Sequence, residues 1–180
     1  MELFEAIARR HSYRGPFRDL QVDRADLRRI VEAGLLAPSG KNGQTTTFVI
    51  VDDAGMVEKI SSMKGANKAM QQAKAFVACI MDKRPEAVYE GYDFQVEDCA
   101  AAVENMLLAV TSLGYATVWV DGWIRLDNRA DTIGQLIRLP EGKVIRVILP
   151  IGVPAEDRSQ PDKKPFEQRA WFNRYEPEVS

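Results

Sequence analysis

Arg10, His11, Ser12 and Arg14 crowd three basic side chains and a hydroxyl just ahead of Gly15-Pro16. Arginine presents a planar fork of donors and serine a short one, so the cluster suits a phosphate or an anionic ring edge. A solvated basic helix end, favoured by the helix dipole, has the same composition. A second stretch, Ala37 to Gln44, carries Pro38, Ser39, Asn42 and Gln44. Its hydroxyl and amides could offer donors and acceptors to a ligand, or simply form a polar connection. Asn105 lies in an apolar run, where an amide needs a partner, structural or otherwise. Leu139-Pro140-Glu141-Gly142 reads as a turn before a strand. Lys163 and Lys164 are either solvated or a second clamp on a phosphate.

Composition removes several other chemistries. His11 is the only histidine, which excludes a metal site needing two and leaves a Ser-His-Asp arrangement only if His11 is the base. No metal is expected. The formal charge of −2, with acids and bases interspersed, gives no positive field for nucleic acid or an anionic membrane. No apolar run approaches the roughly 20 residues of a membrane span. The N-terminus lacks the order of a secretory signal, so a cytoplasmic protein is expected. Cys79 and Cys99 read as small core hydrophobes rather than a disulfide.

The elements that must position these residues follow from periodicity. Leu3, Phe4, Ile7 and Ala8 predict a helix over 2–10. Asp23 is a natural N-cap for a helix whose apolar face runs from Leu27 to Leu35 and which stops before Pro38. Strands are predicted at 46–51, 75–81, 115–120 and 144–151, from β-branched and apolar runs. Short helices are expected at 54–62 and 67–73. A long helix over 94–113 should carry Val96, Ala100, Val103, Leu107 and Val110 on one stripe, with Gly114 ending it. A last helix spans 128–138. Helices between successive strands predict an α/β or α+β fold with a covered sheet. The tail holds Pro154, Pro161, Pro165 and Pro177, with Phe166, Trp171, Phe172 and Tyr175 among charges. It either packs on a partner subunit or folds back on its own domain.

The order of these motifs is more specific than any one of them. Arg-x-Ser-x-Arg, then Ala-Pro-Ser-Gly-x-Asn-x-Gln, Asn-Met-Leu-Leu-Ala on the long helix, Leu-Pro-Glu-Gly, Leu-Pro-Ile-Gly-x-Pro and Lys-Lys-Pro-Phe follow one another along the chain. This series resembles the nitroreductase family of FMN flavoproteins over nearly the whole length. The resemblance implies an α+β sandwich with a mixed, mostly antiparallel sheet. It implies a single domain over 1–155, with a tail, 156–180, exchanged across a homodimer that holds FMN at its interface. Arg10 and Ser12, beside His11, would hold the phosphate or ribityl end. Arg14 would be the catalytic cation at the flavin pyrimidine edge. Pro38, Ser39, Asn42 and Gln44 would come from the other subunit. Asn67 would sit near the ring edge, Pro140, Glu141 and Gly142 over one ring face, and Lys163 and Lys164 on the phosphate. Tyr89, Tyr92 and Phe94 would stack on a small-molecule acceptor or pack structurally. The implied activity is ping-pong hydride transfer from NAD(P)H to nitroaromatic, quinone or related acceptors. Storage, sensing or breakdown of flavin on the same fold is the alternative. One departure stands out: where the family commonly reads Gln-Pro-Trp, this chain has Gln44-Thr45-Thr46, a smaller and more polar wall.

Overall fold

The computed structural model describes residues 1–175. Six helices and four strands are formed there: α1 Leu3–Arg9, α2 Arg24–Leu35, β1 Thr47–Val51, α3 Ala54–Ser61, α4 Lys68–Gln71, β2 Ala75–Asp82, α5 Gln95–Ser112, β3 Ala116–Thr117, α6 Arg129–Leu136 and β4 Lys143–Gly152. Local chemistry starts several of them. Asp23 accepts from the Ala25 amide at 2.7 Å and Asp53 from the Met56 amide at 2.9 Å, each satisfying an otherwise orphaned donor of the first turn.

The sheet runs β1-β2-β4-β3 with every pairing antiparallel, so the expected mixed sheet is a purely antiparallel one. β2 is central and buried on both faces, which is why its sequence, AFVACIM, is a continuous apolar run. Phe76, Ala78 and Ile80 face α3, α4 and α6. Val77, Cys79 and Met81 face α2 and α5. The result is a three-layer α+β sandwich. Both cysteines are buried, free and part of the α2/α5 core. A hydrogen bond with Cys99, together with burial, holds the Cys79 thiol well above its ordinary range. It is therefore an inert core group.

β4 carries a bulge. Cys79 pairs with Val147 but Ile80 with Ile145, leaving Arg146 as the extra residue. The charge thereby leaves the core and meets Asp121.

The strand expected over 115–120 is cut to two residues. The pairs Ala116–Gly152 and Thr117–Ile151, with the isolated bridge Val120–Ile148, put Val118 opposite Pro150. The Ile148 amide donates toward Val120 at 3.0 Å, so position 150 faces the same neighbour, where proline has no N–H to give.

The long helix also differs from its expected stripe. Asp98, Cys99, Ala102, Val103, Met106, Leu107 and Val110 are buried, whereas Val96 is 50% exposed. Asn105 donates to the Ala33 carbonyl at 3.1 Å, so its amide ties α5 to α2.

Candidate functional site

The predicted residues gather at two places. The first is a strap from Arg10 to Phe17 that extends the β3 edge of the sheet. The Tyr13 amide donates to the Thr117 carbonyl at 2.9 Å and Phe17 bridges Pro154. Burial alternates along it: Tyr13 and Gly15 point in, Ser12 and Arg14 point out. Tyr13 is 1% exposed, stacks on Phe17 at 5.3 Å between centroids and donates its hydroxyl to the Pro16 carbonyl. That anchor fixes the direction of its two polar neighbours. Arg10 reaches back to Glu104 on α5 at 3.4 Å, and Glu104 is half exposed. Arg14 has no carboxylate partner among the described residues. His11 turns into a cleft of about 410 Å³ lined also by Arg10, Thr117, Arg158 and Gln160. Its Nδ1 meets the Arg9 carbonyl at 2.9 Å, while the buried His11 Nε2 and Thr117 Oγ1 are unpartnered among the described residues. A buried polar atom of this kind calls for a partner, a water or a ligand.

The tail begins on this same corner. The Glu156 amide donates to the Tyr13 hydroxyl at 3.4 Å, and Gln160 Nε2 donates to the carbonyls of Arg10 and Ile7. Its first residues thus pack on their own subunit. Lys163 and Lys164 follow three and four residues later and are exposed. A chain step of at most ~3.6 Å keeps Lys163 within about 11 Å of Gln160. Phe166 and Phe172 are exposed, with ring centroids 5.7 Å apart. The end of the expected exchanged tail, residues 176–180 with Pro177, lies outside the described residues.

The second place is the loop leading into β1. A single 3₁₀ turn spans Gly40–Asn42, and the Gln44 amide closes on Ser39 Oγ at 3.0 Å. Lys41, Asn42 and Gln44 all have positive φ, at 47°, 57° and 48°. Three non-glycine residues held left-handed in one loop need outside restraint. Asp98, 7% exposed in the first turn of α5, supplies it. Its two oxygens accept from the Gly40 amide and the Thr45 hydroxyl, both at 2.9 Å. Phe94 closes the other side: a Cβ at Gly40 would lie 2.7 Å from Phe94 Cδ2. The aromatic excursion packs here too, with Lys41 Nζ 4.7 Å from the Tyr89 ring centre and Tyr92 stacked on Phe94 at 6.1 Å. The structure therefore brings Tyr89, Tyr92 and Phe94 together with Ser39, Asn42 and Gln44. Phe94 acts in packing as the N-cap of α5, with φ 60°.

The remaining predicted residues lie on other elements, and the Phe17 amide of the strap donates to Gln72 Oε1 at 3.0 Å, directly after the helix that Asn67 caps. Pro140 and Glu141 line a cleft of about 390 Å³ beside Lys83 and Asp131, and the Gly142 carbonyl accepts from the Lys83 amide at 2.9 Å. Asn67 caps α4, its Oδ1 accepting from the Met70 amide at 3.1 Å. A cleft of about 650 Å³ against α3 and α4 contains none of the predicted site residues. Sequence reasoning missed Asp98, Tyr13 and Gln160 as site builders. Asp98 had left a signal: it shares the helical phase of Gln95, Ala102 and Met106, so a carboxylate occupies a core position.

Topology fixes the relation between the two clusters. The strap lies beside β3 at the Gly152 end of β4, and the loop enters β1 at the Asp82 end of β2. Their backbone anchors at Thr117 and Thr47 hang from opposite corners of the sheet, three strand positions apart across it and ~17 Å apart along it.

The class the topology defines is an α+β sandwich, with a basic strap at one corner of its antiparallel sheet and a polar loop at the other. The profile described as Nitroreductase family matches residues 7–79 and 55–153. The chain belongs to the nitroreductase family, a family of oxidoreductases. It is 32% identical over 170 residues to an Archaeoglobus fulgidus protein named for NADH dehydrogenase and NAD(P)H nitroreductase activity, covering 90% of this chain and 95% of that one. A crystal structure from Bacteroides thetaiotaomicron, named for the same activities, superposes with a TM-score of 0.81 at 25% identity, covering 96% of this chain and 98% of that one. A Desulfovibrio desulfuricans nitroreductase solved with FMN superposes with a TM-score of 0.78 at 25% identity, covering 98% and 99%. Among the described residues no helix is long and apolar enough to cross a membrane.

Proposed function

We propose that two copies of this chain hold FMN between them and use NAD(P)H to reduce small acceptors of the nitroaromatic or quinone type. The observation that carries this reading is the separation of the strap from the loop. Tyr13 of the strap pairs with β3 and the Ser39–Gln44 loop enters β1, at opposite corners of the sheet, and in this reading a second copy brings its loop to the strap to complete the site. Exposed apolar side chains argue the same way: Phe4 is 83% exposed on α1, with Leu3, Leu36 and Phe172 also uncovered.

The donor set fits the cofactor. Arg10 and Ser12 offer charge-assisted and short hydrogen bonds to a phosphate, with Lys163 and Lys164 within reach of the same corner. Arg10 exchanges the half-exposed Glu104 for that phosphate. The unpartnered His11 Nε2 and Thr117 Oγ1 leave polar capacity for a hydroxylated chain. Arg14, outward and without a carboxylate partner among the described residues, is the cation that stabilises negative charge at a ring edge. When bound, FMN supplies the electron transfer between pyridine nucleotide and acceptor, and the protein supplies position, charge and an open face. Relatives named for NAD(P)H nitroreductase activity and one solved with FMN support the assignment.

The test is a visible spectrum of the purified protein with FMN, before and after anaerobic NADH or NADPH, alongside sedimentation. A dimer that binds flavin and is bleached by either nucleotide is expected. Flavin bound but not bleached favours storage, sensing or breakdown; a monomer without affinity for FMN overturns the proposal.

A further inference from the structure

We infer that Asp98 and Thr45 form a positioning pair that presets the Ser39–Gln44 loop for the flavin of the partner subunit. This deepens the reading above and rests on it. Asp98 is a carboxylate on the buried face of α5, and both its oxygens are spent on the loop. The Gly40 amide and the Thr45 hydroxyl bracket Lys41 to Gln44, the stretch that holds three left-handed non-glycine residues. Without the bracket those residues relax toward commoner backbone, and the amides and hydroxyl they present lose their aim. A loop fixed before binding gives up less entropy when the ligand arrives.

Thr45 is what makes the bracket two-sided. A proline there would stiffen the loop through its own ring but has no hydroxyl to donate to Asp98. This chain instead obtains stiffness from a side-chain hydrogen bond to α5. The exchange has a cost on the wall of the site: the neighbouring Thr46 Oγ1 is buried without a partner among the described residues. It lines a cleft of about 290 Å³ together with Pro38, Ser39, Gln44, Thr45 and Asp98. The pair is therefore a point where loop order and the shape of the ring-facing wall are set together.

Three variants of the full-length chain test the pair, each followed by amide exchange of residues 40–44 without ligand and by FMN fluorescence titration. Asp98→Ala should raise exchange at Gly40 and weaken FMN about tenfold or more, as expected for lost hydrogen bonds to a charged group. Thr45→Val, which keeps shape and fold, should weaken FMN by roughly threefold to tenfold. Asp98→Asn keeps an acceptor for Gly40 and can donate to Thr45, so it should restore most of both properties. Folded Asp98→Ala or Thr45→Val protein with wild-type loop exchange overturns the inference, and so does looser exchange with unchanged FMN affinity. Should Asp98→Ala fail to fold, Thr45→Val decides alone. Wild-type protein that ignores FMN sinks the flavin reading and the inference with it; wild-type binding with insensitive variants sinks the inference only.

Discussion

The strap at Arg10–Phe17 and the loop at Pro38–Gln44 present similar polar groups but are held by opposite means. The strap is extended and regular: backbone pairing to Thr117 and Pro154 fixes it, and Tyr13 plugs it into the core. Its polar residues need no local strain because alternation already points them outward. The loop has almost no backbone pairing to its surroundings. It is kept in a strained shape by one buried carboxylate and one aromatic ring. Outward polar side chains can hang from a strand edge without strain, whereas a loop with three left-handed non-glycine residues needs a dedicated anchor. The strap should therefore be robust through packing, and the loop through a few hydrogen bonds.

The contrast breaks most sharply at Tyr13. Tyr13→Ala empties a fully buried aromatic position and should cost about 3–5 kcal/mol, read by chemical denaturation. A loss below about 1 kcal/mol would mean that packing does not hold the strap. Arg10→Ala should separate binding from stability. Glu104 is half exposed and the contact is long at 3.4 Å, so unfolding free energy should change by about 1 kcal/mol or less. FMN affinity should fall roughly tenfold to a hundredfold in a fluorescence titration, as for a lost charged hydrogen bond. On the loop side, Gly40→Ala drives a methyl against Phe94 and should cost about 1–3 kcal/mol, measured as a lowered Tm. Adding Phe94→Leu should recover part of that loss if the ring is the obstacle.

The smallest effect lies away from both corners and serves as a control. The Arg24 hydrogen bond holds the Asp52 carboxyl below its ordinary value of 3.8. A depressed carboxylate contributes stability that is fully present above the unfolded value and is lost as pH falls through the folded one. Because Arg24 is largely solvent-exposed, the contribution should stay within about 1 kcal/mol. Asp52→Asn should lower stability near neutrality by up to about 1 kcal/mol, and the difference from the wild type should vanish as pH falls below about 4. A change at pH 7 matching that at pH 3 would show that the pair acts through packing and not through charge.

Much was legible before any tertiary contact was known. Helix starts were readable because Asp23 and Asp53 act within their own first turn. The central strand was readable because a segment buried on both faces must be apolar throughout. The order of the short polar motifs identified the family, since each motif is local and their spacing survives in the sequence. The sequence did not reveal that Pro150 faces β3 and not β2, which shortens a predicted strand, nor that Arg146 leaves the core through a bulge. Both depend on pairing register, a relation between distant segments. It also left Asp98 without a role, because the residue and its Gly40 partner are 58 positions apart. Periodicity and capping are written in neighbouring residues, so the chain alone determines its elements and its chemistry. Which polar groups share a corner, and which carboxylate holds a loop in shape, follow from how the sheet closes, and only the folded molecule decides them.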